Sequence, residues 1–313
     1  MTLLYANPLF LEHITGPHPE KPLRLSTIER QLAETGLAAR CTPATWNPAT
    51  VEQVARVHRP EYIESVRKFA AGGGGRIEAD TVVSERSFDA AMLAAGAACD
   101  ATRRVLAGED KSALCLVRPP GHHALRDAAM GFCLFGNVAV AAKAALAEHG
   151  LDRVLIVDWD VHHGNGTQAL FWEDGQVAFF SIHRWPFYPG TGDASETGSG
   201  RGLGQIANVP VEYGTPLDQY HARFERSLAD LAAKTKPQLV IVSAGFDAHR
   251  EDPIGSLQLE TEDFARLTRT VQAIADEHAG GRIVSVLEGG YNPKRLAESV
   301  GVHLAELLDA GGC

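Results

Sequence analysis

Short apolar runs recur along the chain, separated by stretches of helical periodicity. Leu3-Leu-Tyr-Ala6, Ala113 to Val117, Val154 to Val157, Val177 to His183, Leu239 to Ser243 and Arg282 to Leu287 are rich in aliphatic and β-branched residues, with little alternation. Such runs mark parallel strands covered on both faces. Between them the pattern predicts helices over 27–35, with Ser26 as cap and Gly36 as stop, and over 50–69, with a break at Arg59-Pro60. Further helices are expected over 87–107, 137–149 (closed by Gly150), 167–172, 217–234, from Thr261 onward, and over 292–308. The three prolines and one glycine between His13 and Arg24 exclude a helix there. Gly72 to Gly75 reads as a flexible loop; no Gly-Lys-Ser/Thr follows, so it is not a phosphate loop. Glycines at 198, 200, 202 and 204 mark a long irregular segment.

Strands alternating with helices imply an α/β protein with a parallel sheet and helices on both faces. In such folds ligands bind beyond the carboxyl ends of the strands. Polarity inverts at four of those ends. His122-His123, then Asp158, Asp160 and His162, then Asp247, then Gly289-Gly290-Tyr291 each follow a different apolar run. Four polar clusters on one sheet edge predict one site. A site assembled from residues this far apart predicts one domain over residues 1–313.

Residues two apart on a strand share a face, so Asp158, Asp160 and His162 converge where their strand ends. Charges packed so closely after an apolar run are costly unless paired or metal-bound. Asp160, His162 and Asp247 together offer two oxygens and one nitrogen. Three protein ligands leave a coordination position open, which is the catalytic arrangement; a cysteine-based structural zinc site is excluded. His122 and His123 follow the rigid Pro119-Pro120-Gly121 turn and suit a general base and acid. Tyr291, on a flexible Gly-Gly turn, offers an O–H to a developing oxyanion. Metal, histidine pair and phenol suit amide hydrolysis. Taken singly, the His-His pair is an ordinary core or surface feature, Gly-Gly-Tyr a turn, and Asp247 a helix cap. The shared strand-end placement is what joins them. His13, His18, His183, His221, His249, His278 and His303 stay unassigned or structural.

Composition narrows the classes. The chain is 45% hydrophobic and 22% charged over 313 residues, enough for a substantial core. No apolar run approaches the roughly 18 to 20 residues of a membrane span, and the N-terminus lacks the pattern of a secretory signal. Cysteines at 41, 99, 115, 133 and 313 form no C-x-x-C pair, which fits reduced thiols in a cytoplasmic protein. The net charge of −10 argues against direct nucleic-acid binding and leans towards a cationic substrate.

The motifs, taken in order, resemble the histone deacetylase family. They are Gly16-Pro-His-Pro-Glu-x-Pro-x-Arg24, Arg118-Pro-Pro-Gly-His-His-Ala124, Gly131-Phe-Cys133, Asp158-x-Asp-x-His-His-Gly-Asn-Gly-Thr-Gln168, Ser243-Ala-Gly-Phe-Asp247 with Asp252-Pro253, and Glu288-Gly-Gly-Tyr-Asn292. The resemblance spans almost the whole chain. It implies a single-domain three-layer α/β/α structure with an eight-stranded parallel sheet, the arginase/deacetylase fold, with a catalytic zinc and a bound potassium. Carried over, Asp160, His162 and Asp247 become the zinc ligands. His123 becomes the main general base and acid with His122 beside it, Asp158 supports His122, Asn165 partners the dyad, and Tyr291 polarises the acetyl carbonyl. Asp158, Asp160, His162, Ser181 and Ile182 hold potassium, partly through backbone carbonyls. Gly131, Phe132, Tyr188 and Ile254 line an acyl-lysine tunnel with Gly289 and Gly290 at the substrate, and Asp80 at the rim meets the substrate backbone.

Three departures refine this. Asn165 stands where class I enzymes carry a carboxylate, so His123 stays available as a neutral base. Tyr188 replaces the usual tunnel phenylalanine. Gly164 and His249 stand where arginases carry further carboxylate ligands, which points to one metal. The implied activity is removal of acetyl groups from the ε-amino group of lysine in proteins or peptides. The alternatives are an acetylpolyamine amidohydrolase and, from another class, an inactive acetyl-lysine binding module. The short loops tilt the balance towards lysine.

Overall fold

The computed structural model describes residues 1–309, so Cys313 lies outside the described residues. In chain order the elements are β1 (Thr2–Tyr5), α1 (Leu23–Glu34), β2 (Thr42–Pro43), α2 (Val51–Ala55), α3 (Pro60–Ala71), β3 (Gly75–Arg76), β4 (Val82–Val83), α4 (Ser87–Leu106) and β5 (Ser112–Cys115). There follow α5 (Asn137–His149), β6 (Val154–Asp158), α6 (Asn165–Phe171), β7 (Val177–Arg184), β8 (Ile206–Val211), α7 (Leu217–Thr235), β9 (Leu239–Ala244), α8 (Thr261–Ala279), β10 (Ile283–Leu287) and α9 (Pro293–Asp309). Among the described residues eight strands form one sheet in the order β2-β1-β5-β10-β9-β6-β7-β8, every pair parallel. The expected three-layer arrangement around an eight-stranded parallel sheet is therefore present.

The central strands β6, β9 and β10 are buried along their whole length, which is why they read as unbroken apolar runs. The alanine-rich α4 and α5 pack on each other, letting the two helices approach closely over the sheet. Helices α1, α7, α8 and α9 pack in series over other parts of the sheet. Gly150 closes α5 in the left-handed conformation (φ 68°), as expected of a C-cap. Thr50 and Gln53 form a capping box at α2. No helix among the described residues is long and apolar enough to cross a membrane.

Three local expectations change. Helix α1 begins at Leu23, not after Ser26, because Pro22 already has helical dihedrals; Ser26 sits inside the helix and its hydroxyl donates to Leu23 O. The glycine-rich loop at 72–75 leads into a small antiparallel hairpin, with Gly75 opposite Val83 and Arg76 opposite Val82. The irregular glycine segment gives way to β8, which lacks a clean apolar run because it carries Asn208 and Pro210. Pro210 is tolerated since β8 is the sheet edge and needs partners on one side only.

The order of strands sets the site. β5, β10, β9 and β6 are consecutive neighbours at the sheet centre. Their carboxyl ends are the four where polarity inverts in the sequence.

Candidate active site

At the end of β6 and just past it the chain lays down Asp158, Asp160 and His162, and Asp247 follows the end of β9. The ligand atoms of Asp160, His162 and Asp247 all lie within 4.8 Å of one another, and all three residues are buried. Each carboxylate is aimed by main-chain donors. Asp160 Oδ1 accepts from His162 N and its Oδ2 from Gly289 N, both at 2.9 Å, while Asp247 Oδ1 accepts from Val161 N at 2.9 Å. His162 Nδ1 faces Asp160 Oδ1 at 3.0 Å and Asp247 Oδ2 at 3.2 Å.

Asp247 Oδ2 is buried and has no hydrogen-bond partner among the described residues. A buried carboxylate oxygen with no hydrogen bond is costly, and the His162 imidazole at 3.2 Å compensates it only in part. Burial, with the Asp160 charge beside it, pushes Asp247 up to about 7. Burial opposes charge on His162, yet the Asp160 and Asp247 carboxylates outweigh it and raise the imidazole to about 9. The centre attracts a positive charge, and a dication there replaces the proton. Two carboxylates and one imidazole without a thiolate are a donor set that fits zinc. Gly289 fits the same picture: a Cβ there would run into Asp247 Oδ2 and Asp160 Oδ2.

The histidine pair follows β5. His122 Nδ1 meets Asp158 Oδ2 at 2.9 Å, and His123 Nδ1 meets Asn165 Oδ1 at 2.6 Å. Both partners accept, so each ring carries its proton on Nδ1 and His123 keeps a free lone pair on Nε2. The rings lie 4.0 Å apart. Burial opposes charge on His122, but the Asp158 and Asp160 carboxylates prevail and raise it to about 10. Burial, reinforced by the charges of His122 and His162, drives His123 well below its ordinary value. Adjacent histidines are thus pushed in opposite directions, one charged and one neutral.

Above these residues opens a cavity of about 220 Å³ lined by Asp80, His123, Gly131, Phe132, His162, Phe187, Tyr188, Ile254 and Tyr291. The expected tunnel residues Gly131, Phe132, Tyr188 and Ile254 are therefore together. Tyr188 packs edge-on to His123 at 5.3 Å, and Tyr291 edge-on to Phe132 at 5.7 Å. Asp80 accepts from Gly131 N (3.1 Å) and Thr81 Oγ1 (2.8 Å), so it holds the wall as well as the rim. Gly289 and Gly290 are not among the lining residues; Gly289 sits against the Asp160 and Asp247 carboxylates and Gly290 against Leu296 and Phe246. Ser181 is paired in register with Asp158, and Ile182 follows it in β7, both buried.

The Gly-Gly-Tyr turn is pinned rather than flexible. Arg24 Nε donates to Gly290 O at 2.6 Å and its Nη2 to Glu288 O at 2.5 Å, with the guanidinium 5.1 Å from the Tyr291 ring centre. Tyr291 N donates to Asp252 Oδ2 at 2.6 Å. Arg24 is itself held by Glu20 at 3.1 Å, and Glu20 also binds Arg118, all three fully buried. Sequence reasoning assigned these residues no role, although Glu20 and Arg24 stand in a motif it quoted. It also left Glu288 without a role. Glu288 Oε2 accepts from Gly121 N (2.7 Å) and His122 N (3.2 Å), tying the histidine turn to β10. Phe187 was passed over too; it stacks on His162 at 5.2 Å and 17°.

The histidines left unassigned divide. His303 bridges Thr268 and Ser285, His221 pairs with Asp263, and His183 bridges Ser181 and Gly192 O, all structural. His249 Nδ1 accepts from Glu251 N within its own loop. His18 supports the cavity wall, with its ring edge-on to Phe132 at 4.5 Å and Nε2 at 3.0 Å from Asp80 O.

Comparison with known proteins gives one answer. Residues 18–307 match the family model for the histone deacetylase domain. A histone deacetylase-like amidohydrolase of Pseudomonas aeruginosa is 42% identical over 276 residues, covering 88% of this chain and 73% of that protein. A polyamine deacetylase of Homo sapiens, HDAC10, is 44% identical over 302 residues, covering 92% of this chain and 44% of that protein. The crystal structure of the HDA15 HD domain superposes with a TM-score of 0.91 at 38% identity, covering 98% of this chain and 88% of that one.

Proposed function

This chain belongs to the histone deacetylase family of amidohydrolases, and from that premise we propose that it is a zinc-dependent deacetylase acting on the ε-amino group of acetylated lysine in proteins or peptides. The carrying observation is the buried cluster of Asp160, His162 and Asp247, with no hydrogen bond to Asp247 Oδ2, beneath an aromatic cavity that also holds His123 and Tyr291. In this reading residues 1–313 are one catalytic domain.

Asp160, His162 and Asp247 hold the zinc. When bound, it supplies a Lewis acid that polarises the amide carbonyl and lowers the pKa of water. The chain does the rest. His123, kept neutral, takes a proton from the attacking water on Nε2. Asn165 fixes its ring through Nδ1 and, being neutral, does not hold the imidazolium once formed. His123 then passes the proton to the departing amine. His122, held charged by Asp158, adds a fixed positive potential beside the reacting carbonyl. Tyr291, its ring clamped by Phe132 and Arg24, donates its O–H to the oxygen as negative charge develops. Phe132, Phe187, Tyr188 and Ile254 enclose a methylene stem and keep bulk water out. Potassium fits beside Asp158, Asp160, His162, Ser181 and Ile182, supported by the register that sets Asp158 next to Ser181. Buried free thiols at Cys41, Cys99, Cys115 and Cys133 support a cytoplasmic setting.

An acetylpolyamine is the second reading, favoured by the human relative named as a polyamine deacetylase. One feature of the mouth favours lysine instead. Ile254, 38% exposed at the rim, offers no counter-charge to a distal ammonium. Asp80 does carry one, with its Oδ1 held against the wall by Gly131 N and Thr81 Oγ1. The test is turnover of an ε-acetyl-lysine peptide beside N-acetylputrescine. The reading predicts a kcat/KM about tenfold or more higher for the peptide, a difference of about 1.4 kcal/mol. The reverse preference transfers the assignment to polyamines, and turnover of neither overturns it.

A further inference from the structure

One wall of the cavity is held from outside it. Arg184, the last residue of β7, does not line the cavity but touches Phe187 of its wall and Gly255, the neighbour of Ile254. Its backbone N–H donates to Val161 O at 2.8 Å, between the ligands Asp160 and His162. Its Nη1 donates to Gly255 O at 3.0 Å, next to Ile254. Its guanidinium carbon sits 4.3 Å from the centre of the Phe187 ring and 4.8 Å from that of Tyr213. Phe187 lies in turn against His162.

The segment that carries Ile254 is tied to the β9 end by Ser256 N to Asp247 O at 2.7 Å and Leu257 N to Ala248 O at 2.8 Å, and its tip is held by Asp252. Gly255 N and Ile254 N donate to Asp252 Oδ1 at 3.0 and 2.9 Å, and Asp252 Oδ2 receives Tyr291 N. Ser256 and Gln258 both sit in the left-handed region, at φ 78° and 66°, where a non-glycine side chain is strained. A continuous belt results: Tyr291, Asp252, Gly255, Arg184, Phe187, His162. Arg184 is the link that joins the 252–258 segment to the aromatic wall.

We propose that Arg184 is a specificity-determining positioning residue that clamps Phe187 and Ile254 inward and so restricts the tunnel to a slim, unbranched methylene stem. This rests on the deacetylase reading above. The planar guanidinium is essential to the role. It stacks on a ring face while donating in its own plane, which the lysine ammonium does not do. Without it the outer face of Phe187 and the carbonyl of Gly255 lose their partner together, and Ile254 is left with the Asp252 bond on its backbone N–H but no tie to the aromatic wall. The wall then relaxes outward, and a wider stem enters. Apolar pockets discriminate by about 10- to 200-fold per methylene, so a wall that moves changes selectivity by at least about tenfold.

The experiment compares wild type with Arg184→Met, which keeps the apolar stem and loses the plane and the donors. Arg184→Lys serves as a second variant should Met fail to fold, since it keeps the charge without the plane. The substrates are an ε-acetyl-lysine peptide and the same peptide carrying 4-(acetamidomethyl)phenylalanine, whose stem is a benzene ring. Wild type should prefer the alkyl stem, and the preference should shrink by about tenfold or more in the variant. A merely structural residue would depress both substrates equally, and an unchanged ratio overturns the proposal. Failure of wild type to turn over either substrate falls on the functional reading instead. Amide hydrogen exchange over residues 252–258 then decides the clamp: faster exchange in the variant supports it, and unchanged exchange overturns it.

Discussion

A single methyl group at Gly289 should disable the metal centre without altering a ligand. A Cβ built there falls 2.5 Å from Asp160 Oδ2, closer still to Asp247 Oδ2, and 2.9 Å from Asp247 Cγ. Non-bonded carbon–oxygen contacts settle at about 3.3 to 3.6 Å, so both carboxylates must retreat by roughly 1 Å. Neither is free to do so: Asp160 Oδ1 is tied to His162 N and Asp247 Oδ1 to Val161 N. Metal sites tolerate displacements of only about 0.2 Å. Gly289→Ala should therefore weaken zinc binding about 10- to 100-fold or more, the range seen when groups supporting metal ligands are disturbed. That is roughly 1.4 to 2.7 kcal/mol of binding free energy. Overpacking adds a loss of about 1 to 3 kcal/mol in stability. The assay strips both proteins of metal, confirms their fold by circular dichroism, and titrates zinc against a chromophoric chelator. A folded variant with wild-type zinc affinity would refute the placement of the ligands against this glycine.

Tyr291→Phe removes one donor and leaves the ring between Phe132 and Arg24, so kcat should fall about 10²- to 10³-fold, or roughly 2.7 to 4 kcal/mol, with the melting temperature nearly unchanged. Wild-type kcat, measured on the same preparation as the melting curve, would remove the hydroxyl from the mechanism. His123→Ala should cost more than His122→Ala, within the roughly 10² to 10⁴ typical of general acid–base groups; equal small losses in kcat/KM would refute that division. Burial lowers His303 from 6.5 to about 3, so the unfolded chain binds this proton first as the pH falls. Stability is therefore lost between pH 6.5 and about 3, by up to about 1.4 kcal/mol per pH unit for this group. His303→Gln should flatten the acid limb of the melting-temperature profile, and an unchanged limb would assign the acid sensitivity elsewhere.

What was legible in the sequence follows from burial. Strands β5, β6, β7, β9 and β10 are covered on both faces and so read as apolar runs, and the polar residues just past four of them stood out against that background. The edge strands did not read this way. β2 has two residues, and β8 is interrupted by Asn208 and Pro210. Strand order was also hidden, since β9 and β10 insert between β6 and β5 from late in the chain. The supporting shell was hidden for the same non-local reason: Arg24 holds a turn 264 and 266 positions away. One signal was available and unused. Glu288 follows a buried strand directly, as Asp158 ends one, and a carboxylate at such a place needs partners. It finds them in Gly121 N and His122 N.

The central claim is that one divalent metal, held by Asp160, His162 and Asp247, drives amide hydrolysis. The most direct measurement pairs elemental analysis with turnover of an acetyl-lysine peptide as zinc is titrated into chelator-stripped protein. Activity should be absent without metal, rise linearly, and plateau at one zinc per chain, and Asp247→Ala should neither retain the metal nor recover. Full turnover by the stripped protein, or stoichiometric zinc with normal turnover in Asp247→Ala, would contradict it.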